Sequence, residues 1–251
     1  GDDRRSVAQM LRDLDRIEYR VCATELEAEV VELRLIGEHR PRYNRRSRPP
    51  RSQTWIKLTQ ERFPRLSMVR AVRDDGALYL GPYRSRLAAE VVVHAIWDAL
   101  PVRRCNTAGT NRTAQCSFGQ LGTALCPCDG SVDEDVYAAV VRHLRDGIER
   151  DPEALLGPLR DRMERLAGAR RFEEAAETRD RYLSLARSLS GRRAWQALNA
   201  AGTFWAEDGE GNGVVVQDGC LAAAWNTRTP LPLVAARGPA EDPPSVAGSV
   251  Q

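Results

Sequence analysis

Residues 24–44, TELEAEVVELRLIGEHRPRYN, combine a clear helix start, an acidic stripe and a basic end. Thr24 followed three residues later by Glu27 forms a capping box, in which each side chain satisfies a backbone N–H at the helix start. Pro41 cannot continue a helix, so the pattern predicts that the helix ends before it.

The acidic stripe of this helix has two interpretations. At 100° per residue, Glu25, Glu29 and Glu32 fall on one stripe between two apolar flanks. This placement predicts carboxylates that point partly toward a core, where they need a divalent cation, an arginine or backbone donors as partners. A solvated acidic face is the other interpretation, and the pattern alone favours it.

The stretch resembles the closing helix of the GIY-YIG nuclease domain in the UvrC excinuclease family. The residues that carry the resemblance are Glu27, Ala28, Glu32, Ile36 and Pro41-Arg42-Tyr43-Asn44. The resemblance implies that Glu32 binds the single catalytic Mg²⁺ or Mn²⁺ and that Asn44 lies near the site. Glu29 departs from the family pattern and is assigned no role.

Residues 1–23 differ from what that domain requires. Apolar residues at helical spacing predict a helix within residues 1–16, and alternation predicts a short strand over residues 17–23. No GIY or YIG tripeptide occurs in the sequence. The resemblance therefore implies that the tyrosines serving as general base and the phosphate-bracing arginine are missing, and we expect a fragment or a product lacking its N-terminus.

A basic segment follows the predicted helix. Residues 34–73 hold twelve arginines or lysines against Glu38 and Glu61, a local charge of +10 in a chain of net charge +2. Such a segment suits non-sequence-specific binding to the DNA backbone, although an arginine-rich solvated linker has the same composition. The predicted DNA-binding residues are Arg42, Tyr43, Asn44, Arg45, Arg46, Arg48 and Arg51.

The next region combines a small sheet with a cysteine loop. Strands are predicted at residues 54–58, 66–72 and 77–80, the last two as a hairpin turning at 74–76, followed by a helix at 85–100 with Ser85 as its cap. The segments FPRL and YLGPY, at residues 63–66 and 79–83, resemble the small sheet that follows the nuclease domain in the excinuclease family.

Four cysteines, Cys105, Cys116, Cys126 and Cys128, lie within 24 residues. In a cytoplasmic protein this density favours a metal over disulfides, and iron–sulfur ligation tolerates irregular spacing better than a structural zinc site does. The resemblance implies a 4Fe-4S cluster, but Ala124 stands where the family has its third cysteine. An iron–sulfur cluster, zinc and a metal-free loop stay open as alternatives.

The helices predicted at residues 133–149 and 152–190, the latter broken near 168–171, contain a second family signature. FEEAAETRD at residues 172–180 resembles the UVR motif, a helical hairpin that docks onto the UvrB helicase. The implied partner-binding residues are Met163, Ala167, Phe172, Ala175, Ala176, Arg179 and Asp180. Without the resemblance, the segment is an ordinary helical hairpin with i,i+4 pairs.

The sequence thus predicts an α+β protein in five regions. These are a truncated GIY-YIG α/β half-domain (1–48), a small antiparallel sheet with the cysteine loop (49–132), a helical region with the UVR hairpin at about 155–190 (133–191), a short β-meander (192–228) and a disordered tail (229–251). No apolar run approaches the roughly 18 residues of a membrane span, so a cytoplasmic protein is expected.

Two functions follow from these features. The first is a DNA-repair nuclease component, of which this chain lacks the catalytic tyrosines; the outline also resembles shorter homologues in which an epsilon-like exonuclease precedes a GIY-YIG and UVR region. The second is a non-catalytic DNA-binding scaffold that recruits a UvrB-like helicase. A decayed gene product with neither activity is a third interpretation, which the displaced cysteine supports.

Overall fold

A computed structural model describes residues 3–44, 53–106 and 115–228. Arg45, Arg46, Arg48 and Arg51 of the predicted DNA-binding segment lie outside the described residues, as does the predicted tail at residues 229–251. The described residues form two compact units, one from residues 3–44 and 195–228 and the other from residues 53–106 and 115–194.

The described residues contain seven α-helices and two three-stranded antiparallel sheets, which confirms the predicted mixture of helix and antiparallel strand. The helices are α1 (Asp3–Arg12), α2 (Glu25–His39), α3 (Arg86–Ala99), α4 (Ser117–Gln120), α5 (Glu134–Glu149), α6 (Glu153–Gly168) and α7 (Phe172–Ala200). The strands are β1 (Thr54–Leu58), β2 (Leu66–Val69), β3 (Leu78–Tyr83), β4 (Thr203–Glu207), β5 (Gly213–Gln217) and β6 (Cys220–Trp225). No helix in the described ranges is long and apolar enough to span a membrane.

The sheet of the second unit has the strand order β2-β1-β3, so the predicted hairpin between β2 and β3 is wrong. The segment between β2 and β3 instead connects strands on opposite sides of β1. Asp75 in this segment forms an ion pair with Lys57 of β1. Asp74-Asp75-Gly76 is typical of a tight turn, but β1 pairs with both β2 and β3 and therefore lies between them. Strand pairing depends on distant contacts that a turn signal does not contain.

Helices α3, α5, α6 and α7 build the core of the second unit together with this sheet. Ile56 and Leu58 of β1 share that core with Val92 and Ile96 of α3. Ser85 caps α3 as predicted, with its hydroxyl accepting from the Ala88 N–H at 3.1 Å. Helices α5 and α6 also pack closely, because Gly147 leaves room for Leu155 against its backbone; a Cβ there would lie 2.5 Å from the leucine Cγ.

The first unit contains α2 and the predicted β-meander. Thr24 Oγ1 accepts from the Glu27 N–H at 3.1 Å, and the Glu27 carboxylate accepts from the Ala23 N–H at 2.7 Å, so the cap forms one residue wider than the simple box. Helix α2 contacts β6, where Arg34 Nη2 donates to the Leu221 carbonyl at 3.1 Å. The helix ends at His39, because Arg40 adopts a left-handed conformation (φ 44°) ahead of Pro41.

Two further predictions for the first unit are wrong. Residues 17–23 form no strand, and Ile17, Tyr19 and Val21 are each about four-fifths exposed, at 79%, 87% and 82%. A segment of alternating apolar and polar residues forms a strand only when it pairs with another strand. Within the described residues, no strand pairs with residues 17–23. The acidic stripe of α2 does not point inward: Glu25, Glu29 and Glu32 are all exposed.

Candidate functional site

Glu32 lines an open groove in the first unit. The groove has a volume of about 330 Å³, and its lining includes Arg20, Glu32 and His39. Leu35 and Ile36 are among its apolar lining residues, so the groove combines one carboxylate, one guanidinium and one imidazole with an apolar surface. The Arg20 guanidinium forms an ion pair with Glu27 at 3.4 Å. The sequence reasoning identified Glu32 but missed Arg20 and His39; His39 lies seven residues, or about two helical turns, beyond Glu32, and this spacing was the available signal.

The residues that follow α2 are engaged in local contacts. Pro41 lines the same groove, whereas Arg42, Tyr43 and Asn44 are not among its lining residues. The Tyr43 hydroxyl donates to the Asp13 carboxylate, and this hydrogen bond raises the pKa of Tyr43. The Arg42 guanidinium lies 5.6 Å from the centre of the Tyr43 ring. Arg42 and Asn44 are exposed, while Tyr43 is half-buried.

The four cysteines of the loop come together in the second unit. The Sγ atoms of Cys105, Cys116 and Cys126 all lie within 4.8 Å of one another, and Cys128 is fully buried and accepts from the Cys116 N–H at 3.2 Å. Ala124 is buried in the same cluster. A zinc ion with bonds of about 2.3 Å holds tetrahedral sulfurs about 3.8 Å apart, so the three thiols need to move little to share one metal.

The thiols of this cluster are electrostatically unequal. Burial raises the pKa of Cys126 to about 12 and raises that of Cys128. Burial also opposes ionisation of Cys116, but hydrogen bonds from the Gly119 N–H and the neighbouring thiols outweigh it and lower the pKa of Cys116. The lowered pKa of Cys116 favours its thiolate, which is the form that binds a metal, whereas the raised pKa values of Cys126 and Cys128 oppose theirs.

Arg104 adds a positive charge beside the cysteine cluster. Its guanidinium lies 5.2 Å from the centre of the Trp97 ring and 5.7 Å from that of Phe118, and Nη2 donates to the Trp97 carbonyl at 2.9 Å. Burial lowers the pKa of Arg104. A guanidinium held by aromatic faces favours a nearby anionic thiolate–metal centre. Sequence reasoning missed this residue, although it directly precedes Cys105.

Helices α6 and α7 are separated by a short break at the predicted position. The chain turns at residues 169–171, where Arg170 has a φ of 58° and the Arg171 N–H donates to the Leu166 carbonyl at 2.9 Å. Two residues of the implied docking set face the protein interior or its margin: Ala175 is buried, and Ala176 is half-buried. Of the other residues in this set, Met163 is half-buried, and Ala167, Arg179 and Asp180 are exposed. Phe172 is 66% exposed.

Comparison with known proteins identifies the class of this fold. Residues 53–147, which hold the β2-β1-β3 sheet, α3, the cysteine loop and most of α5, match the family described as "UvrC/Cho excinuclease, middle domain". The chain is therefore a UvrC-like protein. No solved structure matches it.

Three curated relatives are each named "UvrABC system protein C". The proteins from Moorella thermoacetica and Desulforudis audaxviator are each 35% identical to the chain, over 173 and 175 residues, which are 68% and 69% of it. The protein from Syntrophus aciditrophicus is 34% identical over 194 residues, or 76% of the chain. The chain spans only 28%, 28% and 31% of the length of these relatives.

Proposed function

We propose that this chain is the DNA-contacting part of a UvrC-like repair nuclease and that its intact parent incises the DNA backbone in nucleotide excision repair. The observation that carries the proposal is the match of residues 53–147 with the excinuclease middle domain, supported by the names of the relatives. A local charge of +10 over residues 34–73 supports contact with phosphates, because arginine forks bind phosphate oxygens without reading bases.

The groove of the first unit supports the proposed incision chemistry. Its carboxylate, Glu32, would bind Mg²⁺ or Mn²⁺, hard cations that accept one protein carboxylate beside water and phosphate oxygens. Such an ion neutralises charge on the scissile phosphate and the leaving oxygen. Arg20 would hold a neighbouring phosphate, and the exposure of Glu32 leaves space for the DNA strand. The tyrosines implied as the general base are not in this sequence.

We therefore expect the isolated chain to bind duplex DNA but to leave a supercoiled plasmid uncut in the presence of Mg²⁺ or Mn²⁺. Binding is measured by fluorescence anisotropy and nicking by gel electrophoresis. Nicking that disappears in Glu32→Gln but persists in the matched control Glu29→Gln would contradict the expected inactivity and would make Glu32 part of a complete site. Absence of DNA binding at low salt would contradict the proposed function itself.

The cysteine cluster would hold the metal centre of the middle domain. The cluster offers four soft ligands: three thiols within 4.8 Å of one another and the adjacent buried Cys128. The Arg104 guanidinium supplies a compensating positive charge beside them. This combination suits an iron–sulfur cluster or zinc. Such a metal would join Cys105, which follows α3, to Cys116, Cys126 and Cys128, which precede α5.

The second candidate function, a scaffold that recruits a UvrB-like helicase, is favoured by the tip of the α6–α7 hairpin. Phe172 is large, apolar and 66% exposed, and exposed Arg179 and Asp180 form an ion pair about two turns further along the same helix. An exposed aromatic ring with charged neighbours is typical of an interface anchor.

Phe172→Ala is expected to weaken binding of the chain to a UvrB-like helicase about ten-fold or more, because truncating an aromatic hot spot typically removes about 2 kcal/mol or more. The affinity is measured by isothermal titration calorimetry. Val136→Ala, which truncates another exposed apolar residue on α5, serves as the matched control and should bind like the parent chain. Equal affinity for both variants would remove the hairpin tip from the interface.

A further inference from the structure

Three arginines of the second unit converge on one carboxylate. Asp98, in the last turn of α3, forms an ion pair with Arg181 of α7 at 2.7 Å, and the Arg162 guanidinium of α6 lies 3.9 Å from its other oxygen. Arg104, which follows α3 in the sequence, also interacts electrostatically with Asp98. The Asp98 side chain is only 14% exposed. Arg104, Arg162 and Arg181 therefore form an arginine cluster around a largely buried carboxylate.

The charges of the arginine cluster do not balance. Burial lowers the pKa of Arg104, whereas Asp98 and Cys126 raise it. Repulsion from Arg162 lowers it further, so these two guanidinium groups lie close enough to repel each other. Among the described ion pairs, one further carboxylate reaches the cluster: Glu177 pairs with the α7 arginine at 3.3 Å and is itself 69% exposed. Three guanidinium groups thus share two carboxylates, and solvent screens one of the two.

Several hydrogen-bond donors of the arginine cluster also have no acceptor. Nε of Arg104, Nε of Arg162 and Nε1 of Trp97 are buried and have no hydrogen-bond partner among the described residues. The Trp97 indole belongs to the same place, because the Arg104 guanidinium lies 5.2 Å from the centre of its ring. Buried donors in proteins nearly always have an acceptor. These three donors therefore indicate an acceptor that the described residues do not supply.

These features distinguish the cluster from arginines that are merely exposed. Arg165, three residues beyond Arg162 on α6, is exposed and forms no ion pair with any residue in the described ranges. Water solvates its charge on all sides. The side chains of Arg162 and Arg181 are only 42% and 28% exposed, and they lie against the same carboxylate. Like charges repel more strongly when they are partly buried, so a bound anion would stabilise this arrangement.

We propose that the arginine cluster, Arg104, Arg162 and Arg181, binds one phosphate group of the DNA backbone. A backbone phosphate has two free oxygens that accept from guanidinium forks, so one phosphate can engage two or three arginines at once. Phe118 favours nucleic acid over an acidic peptide: its ring centre lies 5.7 Å from the Arg104 guanidinium, and the residue is 38% exposed, which leaves a surface on which an unpaired base can stack. The inference rests on the proposed function and adds a DNA contact in the second unit to the basic segment identified from the sequence.

The test compares binding of the full chain and its variants to a labelled DNA duplex with a short unpaired stretch, by fluorescence anisotropy over a range of salt concentrations. Arg162→Ala is expected to weaken binding about five-fold or more at about 0.1 M salt and to reduce the slope of log K against log salt by about 1, because one phosphate contact is lost. Arg162→Lys keeps the charge and should retain most of that slope. Arg165→Ala removes the same charge from the same helix and should bind like the parent chain.

A second measurement detects the site without DNA. Arg162→Ala leaves Asp98 paired with Arg181, so this variant should fold and unfold cooperatively like the parent chain. Inorganic phosphate, compared with chloride at equal ionic strength, should raise the unfolding temperature of the parent chain more than that of Arg162→Ala, because a ligand stabilises only the protein that binds it. An equal rise in both proteins would be a general salt effect and would overturn the phosphate site.

The outcomes separate the inference from the proposed function. If the parent chain binds DNA and Arg162→Ala binds it as tightly, the inference is wrong and the proposed function stands. An equal loss in Arg165→Ala also overturns the inference, because net charge alone then explains binding. Weaker binding of Arg162→Ala to a UvrB-like helicase with unchanged DNA binding would assign the cluster to a protein interface and overturn it as well. If the parent chain does not bind DNA even at low salt, the proposed function itself fails, and this contact fails with it.

Discussion

Purified without oxygen, the chain is expected to carry a metal centre near one per chain, and Cys126→Ser is expected to reduce it to less than about a tenth, because a lost thiolate removes one of the few soft ligands of such a site. The thiols of Cys105, Cys116 and Cys126 lie within 4.8 Å of one another, and Cys126 is only 1% exposed. Analysis of iron, sulfide and zinc, with the visible spectrum, measures both the amount and the type of metal.

Two variants sharpen this measurement. Cys220→Ser removes an exposed cysteine of the first unit and should retain the full metal content. Ala124 is buried in the cysteine cluster, so Ala124→Cys combined with Cys126→Ser places a thiol at the position where the family resemblance implies a cysteine. We expect this double variant to recover metal. A folded parent chain free of iron and zinc would show that the loop does not hold a metal, and the middle domain would then be stabilised by packing alone.

Replacing Tyr137 by phenylalanine is expected to lower the free energy of unfolding of the second unit by about 2–4 kcal/mol, since two buried backbone groups lose their partner. The Tyr137 hydroxyl accepts from the Arg103 N–H at 3.0 Å and donates to the Pro64 carbonyl, which connects α5 to the segments that follow α3 and precede β2. Tyr83→Phe is the matched control, because its hydroxyl pairs only with the Ser188 hydroxyl among the described contacts and should matter by about 1 kcal/mol. Denaturant titration measures both.

The difference between the parent chain and Tyr137→Phe should also depend on pH. Burial raises the pKa of Tyr137 to about 12, with partial compensation from the Arg103 N–H, whereas an unfolded tyrosine ionises near 10. The folded state therefore retains a proton that the unfolded state loses. This contribution to stability is complete below about pH 10 and falls by about 1.4 kcal/mol per pH unit as the pH rises toward 12. The stability difference should narrow over that range; a constant difference would mean that the hydroxyl is not buried.

Local signals in the sequence determined much of this protein. The capping box at Thr24, the proline after His39, the cap at Ser85 and the break before Phe172 each act within one turn of backbone, so the corresponding helix ends were predicted to within a residue or two. The strand at residues 54–58 and a short β-meander within residues 192–228 were also predicted correctly, because β-branched and aromatic residues between turns are a local pattern.

Tertiary structure decided the features that depend on a distant partner. The alternation at residues 17–23 could not show that no described strand pairs with it, and the Asp-Asp-Gly turn could not show that β1 separates β2 from β3. The groove shared by Arg20, Glu32 and His39 likewise depends on how the chain packs around α2. Local propensity acts over a few residues, whereas strand register and side-chain packing are set by contacts between residues far apart in the chain. The sequence of a single segment therefore does not predict them.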